Sequence, residues 1–280
     1  MTTLTTPHRP VSAAGVEDVR PVRRRLSPGT SVRFGGLIGI AVLLAAWIIG
    51  SATGLLDPRT LTEPWTVVAT AETLIEDGRL QEGLMTSGVR AALGLGLGVV
   101  VGTILALVSG LSRIGETLID GPVQVKRSIP TLALIPLLLL WFGIGEPFKV
   151  LTIALAVFVP IYIHTHNGLR TIEGRYAELA ETLDVTRAEF IRHVVLPGAM
   201  PGFLLGLRFA VTSSLLALVV VEVINATSGI GHMITLASSY GQTDIIVVGL
   251  VVYALLGVTA DAAVRFIERK ALSWRRTLAS

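Results

Sequence analysis

The sequence predicts an all-α, polytopic membrane protein with six transmembrane helices, and three observations predict it. Of 280 residues, 51% are hydrophobic and only 15% charged, with a mean hydropathy of +0.70, whereas an ordinary water-soluble domain carries roughly 25% charged residues. Six apolar segments are separated by short polar ones. The basic residues cluster on alternate sides of those segments, as the positive-inside rule requires.

The same composition excludes other classes. A net charge of +3 with basic residues spread along the chain gives no patch suited to nucleic acid. Zero cysteines removes disulfides, thiolate metal sites and cysteine nucleophiles.

Residues 1–30 hold Pro7, Pro10, Pro21 and Pro28 among Thr, Ser and Arg, and read as a disordered cytoplasmic tail whose arginines rest on anionic lipid. The remaining 31–275 form one membrane domain. Phe34–Ala52 is the first span; its 33-residue leader and the lack of an A-x-A site favour a retained helix over a cleaved signal. Beyond it Glu63-Pro64-Trp65 introduces Val67, Val68, Ala71, Leu74 and Ile75 at helical spacing, a short amphipathic helix at the outer interface.

Gly88–Leu111 is the second span, long enough at about 1.5 Å per residue to cross a core near 30 Å. Gly94, Gly98 and Gly102 share one of its faces, where small residues let backbones approach, either within the chain or across a dimer seam. Pro130–Phe142 is a third, shorter span kinked by Pro130 and Pro136. Val150–Ile163 is the fourth, with Asn167 and Gly168 helping to end it. Gly202–Val221 and Ile245–Ala263 are the fifth and sixth.

Orientation follows from charge. Arg9, Arg20, Arg23, Arg24, Arg25 and Arg33 precede the first span, the next loop has Arg59 and Arg79 against six acids, and Val223–Asp244 has no Lys or Arg. Both termini are therefore cytoplasmic, with Arg265, Arg269, Lys270, Arg275 and Arg276 at the C-terminal end. The polar stretch Glu178–Pro197 lies on the same side.

That stretch has its own local logic. Ala177, Leu179, Ala180 and Leu183 alternate with Glu178, Glu181 and Thr182, giving a short helix with a compact apolar face. Thr186 and Glu189 stand in capping-box order, so a second helix begins near Arg187 and runs to about Val195, where Pro197 and Pro201 stop it and start the next span.

The stretch reads E-x-A-x3-D-x9-V-x-L-P, and so resembles the EAA loop, E-A-A-x3-G-x9-I-x-L-P, of ABC importer permeases. Glu178, Ala180, Val194, Leu196 and Pro197 match; Leu179 and Asp184 depart. Asp184 takes the position of a turn glycine, which Asp can fill because it tolerates the left-handed region. Ala133-Leu134-Ile135-Pro136-Leu137, Trp141-Phe142-Gly143-Ile144-Gly145-Glu146, Gly206-Leu207-Arg208 and Glu222 with Ser228-Gly229-Ile230-Gly231 resemble the sulfonate, nitrate and taurine branch. That branch also contains bicarbonate and thiamine-precursor pyrimidine permeases.

The resemblance implies a type I importer permease fold and a small, anionic solute. It implies a second copy of the chain, cytoplasmic ATP-binding subunits and an extracytoplasmic binding protein as partners in the plasma (inner) membrane bilayer, with no cofactor. The loop 173–197 would be the coupling element, through Glu178, Ala180, Leu183, Asp184, Val194, Leu196 and Pro197. No Walker lysine loop occurs, so ATP hydrolysis belongs to another chain. The sequence also lacks the H-E-x-x-H pair of an intramembrane zinc hydrolase, and its intramembrane charges are sparse for an ion-coupled secondary transporter.

Ionisable groups inside a span are costly, so Arg208 and Glu222 are candidate pathway or gate residues. The alternatives are a helix-pairing or snorkelling role for Arg208, and for Glu222 a cap on the following loop. His164 and His166 point about 200° apart on a helix and cannot share one metal.

The topology is checked by single cysteines, since the chain has none. Cysteines at Arg59 and Ser238 are expected to react with an impermeant reagent in intact cells and one at Thr186 is not; labelling at Thr186 would reverse the orientation.

Overall fold

The computed structural model describes residues 35–273, and among these every regular element is helical. The expected 1–30 tail lies outside them. The described residues fall into two units, divided between Ala46 and Trp47. The first helix, α1 (Gly35–Ala52), carries no charged residue. Its described apolar part, Ile38–Ala52, is shorter than a full span.

The unit from Trp47 begins with α2 (Pro64–Glu76), where Pro64 occupies the first turn that lacks an amide partner anyway. α2 buries Val67 and Leu74 in a cluster with Ile245 and Val248 of α11 (Thr243–Ala271), and Thr70 donates to Asp244 at 2.8 Å. The predicted amphipathic helix therefore exists, and its buried face is covered by protein. Gly78, with φ +75°, turns the chain into α3 (Arg79–Leu111).

The third predicted span needs correction. α4 (Arg113–Ser128), capped by Ser112, and a 3-10 turn (Thr131–Leu134) running into α5 (Ile135–Phe142) are two arms bent by 91°. Pro130 holds Ile129 extended, at φ −95° and ψ 117°, and removes an amide; Pro136 then sits in the first turn of α5. Two prolines expected to kink one helix instead end one and begin another.

α6 (Glu146–Arg170) runs past the expected end at Asn167 and Gly168. Gly168 is a packing position: a Cβ there would lie 2.9 Å from the Ala199 carbonyl oxygen. After α7 (Gly174–Thr182) and α8 (Arg187–Phe190), a π-helical segment (Ile191–Val195) leads into α9 (Leu196–Asn225). Helix is thus continuous from Arg187 to Asn225, and Pro197 does not stop it as expected. Proline clashes with the carbonyl four residues back, and the wider π turn, with Leu196 N–H bonded to Ile191 O, gives that carbonyl room. The segment without Lys or Arg, expected to be external, contains a further helix, α10 (Ile230–Ser239).

Among the described residues four helices are long and apolar enough to cross a membrane, five if the bent pair counts as one span; α1 covers the sequence of the first predicted span. The core is α3, α6 and α9, packed backbone to backbone. A Cβ on Gly98 would stand 2.6 Å from Val157 Cβ and 2.8 Å from Ala154 O, and one on Gly102 would stand 2.7 Å from Phe158 O. The glycine face predicted in α3 is therefore occupied within the chain. On the other side of α6, a Cβ on Gly202 would meet His164 O at 2.6 Å.

Gly98→Ala is expected to lower stability by about 1–3 kcal/mol through overpacking. Gly96, where an added Cβ would meet nothing within 4 Å, is expected to accept Ala with no loss, because Ala is the better helix former. The thermal midpoints of the two variants in one detergent test this; equal midpoints would refute the seam.

Candidate functional site

Two constellations stand at opposite ends of α6 and α9. The first is the finger between them. α7 ends in a Schellman arrangement: Val185 N–H donates to Ala180 O at 2.9 Å and Asp184 N–H to Glu181 O at 3.2 Å. Asp184 has φ +51°, the one positive φ outside glycine among the described residues, as its place in the motif required. The Thr186–Glu189 capping box is complete, with Glu189 N–H donating to Thr186 Oγ1 and Thr186 N–H to a Glu189 carboxylate oxygen.

Glu178, Leu179 and Leu183 are exposed and Ala180 is half-buried, so the finger presents apolar side chains to its surroundings. Val194 and Pro197 line a cavity of about 500 Å³ with Tyr176 and His193; Leu196 is exposed. Arg187 donates to Leu111 O at 2.9 Å, and Arg170 pairs with Glu116, tying the finger's base to α3 and α4. Of the expected coupling residues, Glu178, Ala180, Leu183 and Asp184 lie on one short, internally braced projection, whereas Val194, Leu196 and Pro197 lie in the π segment and the first turn of α9 that carry it.

The second constellation is a charge cluster, buried at Arg90, Lys149 and Glu222 and open at Glu146, which is 56% exposed. Arg90 of α3 is 2% exposed. Its guanidinium donates to Glu146 at 2.6 and 2.7 Å, to Glu222 at 2.8 Å and to the Ser228 carbonyl at 2.7 Å. Lys149 adds a bond to Glu146 at 2.8 Å. Two cations and two carboxylates balance, as burial of Arg90, Lys149 and Glu222 demands.

Glu222 also accepts from Ser87 at 2.8 Å, Tyr253 at 2.9 Å and the Gly231 amide at 2.9 Å, while Ser87 Oγ accepts from the Ile230 amide at 3.0 Å. Two amides at the start of α10 are thereby satisfied from α9 and α3, beside a carboxylate that suits the positive end of a helix. This geometry realises the capping alternative for Glu222. It also explains Ser228-Gly229-Ile230-Gly231. Gly229 has φ +107°, and a Cβ on it would lie 2.5 Å from Glu222 Oε1; one on Gly231 would lie 2.4 Å from Glu222 Cβ.

Arg208 is elsewhere, its Nε 3.2 Å from Asp261 of α11, with both side chains partly exposed. It pairs helices, and the structure does not bring it to Glu222. His164 stacks on Phe209 and His166 on Tyr162, two separate aromatic partners. Sequence reasoning missed Arg90, Glu146 and Lys149. Arg90 sits inside the second predicted span, so the rule that selected Arg208 and Glu222 also selects it; its partners lie 56 and 132 residues away, with no local signal.

Residues 98–273 match the family described as "Binding-protein-dependent transport system inner membrane component". The chain is 43% identical over 232 residues to Escherichia coli (strain K12) SsuC, named as an aliphatic sulfonates transport permease, covering 83% of this chain and 88% of that protein. It is 38% identical to the Bacillus subtilis (strain 168) protein of the same name, covering 90% and 92%. The Escherichia coli taurine transport system permease TauC is 32% identical, covering 84% and 87%. Among solved structures, a chain from "an amino acid ABC transporter with histidines" superposes with a TM-score of 0.59 at 19% identity, over 71% of this chain and 97% of that one, which shows a shared fold.

Arg90→Met leaves the Glu222 carboxylate buried without its countercharge and is expected to destabilise the detergent-solubilised protein by about 3–5 kcal/mol, and Glu222→Met strands the Arg90 guanidinium in the same way. The double variant Arg90→Met/Glu222→Met is expected to recover part of that loss. Thermal midpoints of the two single variants and the double one form the cycle, and strictly additive effects would exclude the pairing.

Proposed function

We propose a function from one premise: the chain belongs to the family of inner-membrane components of binding-protein-dependent transport systems. It is a multi-pass subunit of an ABC importer, and its family implies an ATP-binding subunit and a substrate-binding protein as partners. On our reading it works as a homodimer that carries an aliphatic sulfonate or a taurine-like anion inward. ATP is bound and hydrolysed by a separate cytoplasmic subunit, and the binding protein docks on the end that carries the Arg90–Glu222 cluster. Identity of 43% to a protein named for aliphatic sulfonates supports that substrate class.

The observation that carries the reading is the finger. α7, the Asp184 turn and α8 form a small preorganised unit with exposed Leu179 and Leu183, and α8 continues without a break into α9. Such a unit is suited to enter a groove on a partner, and movement of that partner would be transmitted along α9. Docking the ATPase here places residues 173–197 and both termini in the cytoplasm. The ATPase dimer, closing on ATP, would then alternate the access of a path between two copies of the chain.

Leu183→Asp puts a charge on the exposed tip, and Ala180→Trp overfills the face beneath it; neither touches the α3–α6–α9 core. Both variants are expected to insert normally but to retain less than about a tenth of the ATPase on co-purification, a loss of roughly 1.4 kcal/mol or more in docking. Full retention of the ATPase with unchanged transport would show that the finger is a solvated hairpin.

A further inference from the structure

The broken span places two cations where charge is most expensive. α4 ends in Lys126 and Arg127, just before the chain turns through 91° toward α5. Lys126 Nζ is 2.6 Å from the Leu155 carbonyl, 2.8 Å from Thr131 Oγ1 and 5.4 Å from the centre of the Phe158 ring. Leu155 follows the start of α6, Glu146, by nine residues and precedes its end, Arg170, by fifteen. At about 1.5 Å per residue these are roughly 14 and 22 Å. The break therefore lies near the middle of the span.

Four other cations within the long helices are paired: Arg90 and Lys149 with Glu146, Arg208 and Arg265 with Asp261. Among the described residues, Lys126 and Arg127 form no ion pair. The partners of Lys126 are a carbonyl, a hydroxyl and a ring face, all neutral, and Arg127 is exposed on the single chain. The C-terminal end of α4 supplies about half a negative charge, against two full positive ones. A mid-depth Arg cannot face lipid cheaply, so it faces a wet path or an anion. Unwound breaks in spans are also where transport proteins can place polar backbone against a cavity.

We infer that Lys126 and Arg127 form a mid-membrane station for the transported anion. This rests on the reading of the chain as a permease for a sulfonate and adds the place where that sulfonate is met. Three sulfonate oxygens can accept two parallel N–H bonds from the Arg127 fork and one from the ammonium of Lys126, which its neutral partners leave with spare donor capacity. Binding by two cations and no metal suits passage, since neither contact is so strong that the anion cannot leave. Lys126, tethered to α6, fixes the position of the pair; Arg127, on the exposed side of the break, is free to follow the anion.

The test uses the complete importer, the chain with its ATPase and binding protein, in proteoliposomes, and the probe is radiolabelled ethanesulfonate. Lys126→Gln and Arg127→Gln are each expected to reduce uptake about tenfold or more, the loss of one charge-assisted hydrogen bond, while ATPase co-purification and dimer size stay unchanged. Lys126→Arg and Arg127→Lys are expected to keep most of the uptake, separating charge from folding. Wild-type uptake in both Gln variants would overturn the station. So would dissociation of the dimer in either of them, since the cations would then be pairing with a carboxylate of the second copy. A wild-type complex that moves no ethanesulfonate, taurine or nitrate fails at an earlier step and overturns the anion reading itself.

Discussion

The close approach of α3, α6 and α9 is the constraint on which the rest of the structure depends. Glycines at 98, 102, 168 and 202 remove the side chains that would hold the backbones apart, and the facing carbonyls of Ala154, Phe158, His164 and Ala199 fill the space. Packing of this kind replaces the hydrophobic effect, which provides little drive between helices already surrounded by lipid tails. Because α6 lies between its two neighbours, its ends determine where both constellations stand. Its first residue, Glu146, enters the charge cluster; its last, Arg170, lies beside the finger.

The charge cluster uses that closeness. A guanidinium on α3 reaches carboxylates on α6 and α9 at 2.6 to 2.8 Å, and the surplus acceptor capacity of Glu222 reaches α10 and α11. Five helices therefore meet at one electrically balanced point. Removing a single member leaves a charge behind, whereas an apolar set of the same volume leaves none, so the cluster contributes more to specifying the arrangement than to net stability. Gly229 and Gly231 are bound to it sterically: each is a glycine because Glu222 occupies the volume of a Cβ.

What the sequence revealed was local or periodic. Four of the six apolar segments, the α2 helix, the Thr186–Glu189 box and the left-handed Asp184 are all written in neighbouring residues, and each is present in the structure as a helix or turn of the expected kind. The glycine face of α3 was readable from its spacing of four, although its partner, α6, was not. Proline was read too simply. Pro197 was expected to stop a helix that the π segment carries through, and Pro130 to kink a span that it divides, because proline's effect depends on whether the neighbouring turn can widen. The Arg90–Glu222 contact joins residues 132 apart, and no pattern in one sequence specifies such a pair. Arg208 and Glu222 share a helix and a polar character, yet one pairs α9 with α11 in partial exposure and the other, itself buried, organises the charge cluster.

The uninterrupted helix from Arg187 to Asn225 has a mechanical consequence. Thirty-nine residues at about 1.5 Å each make a rod of roughly 58 Å. Pivoting such a rod by about 10° around its midpoint carries each tip through roughly 5 Å, in opposite directions. A small angular displacement at one end would therefore appear as an opposite displacement at the other without any change in the rod's length. The segment Ile191–Val195, a π turn, and Pro201 in the helix interior both lie close to the tip where force would be applied, so the stiffness of this end sets the limit on the leverage.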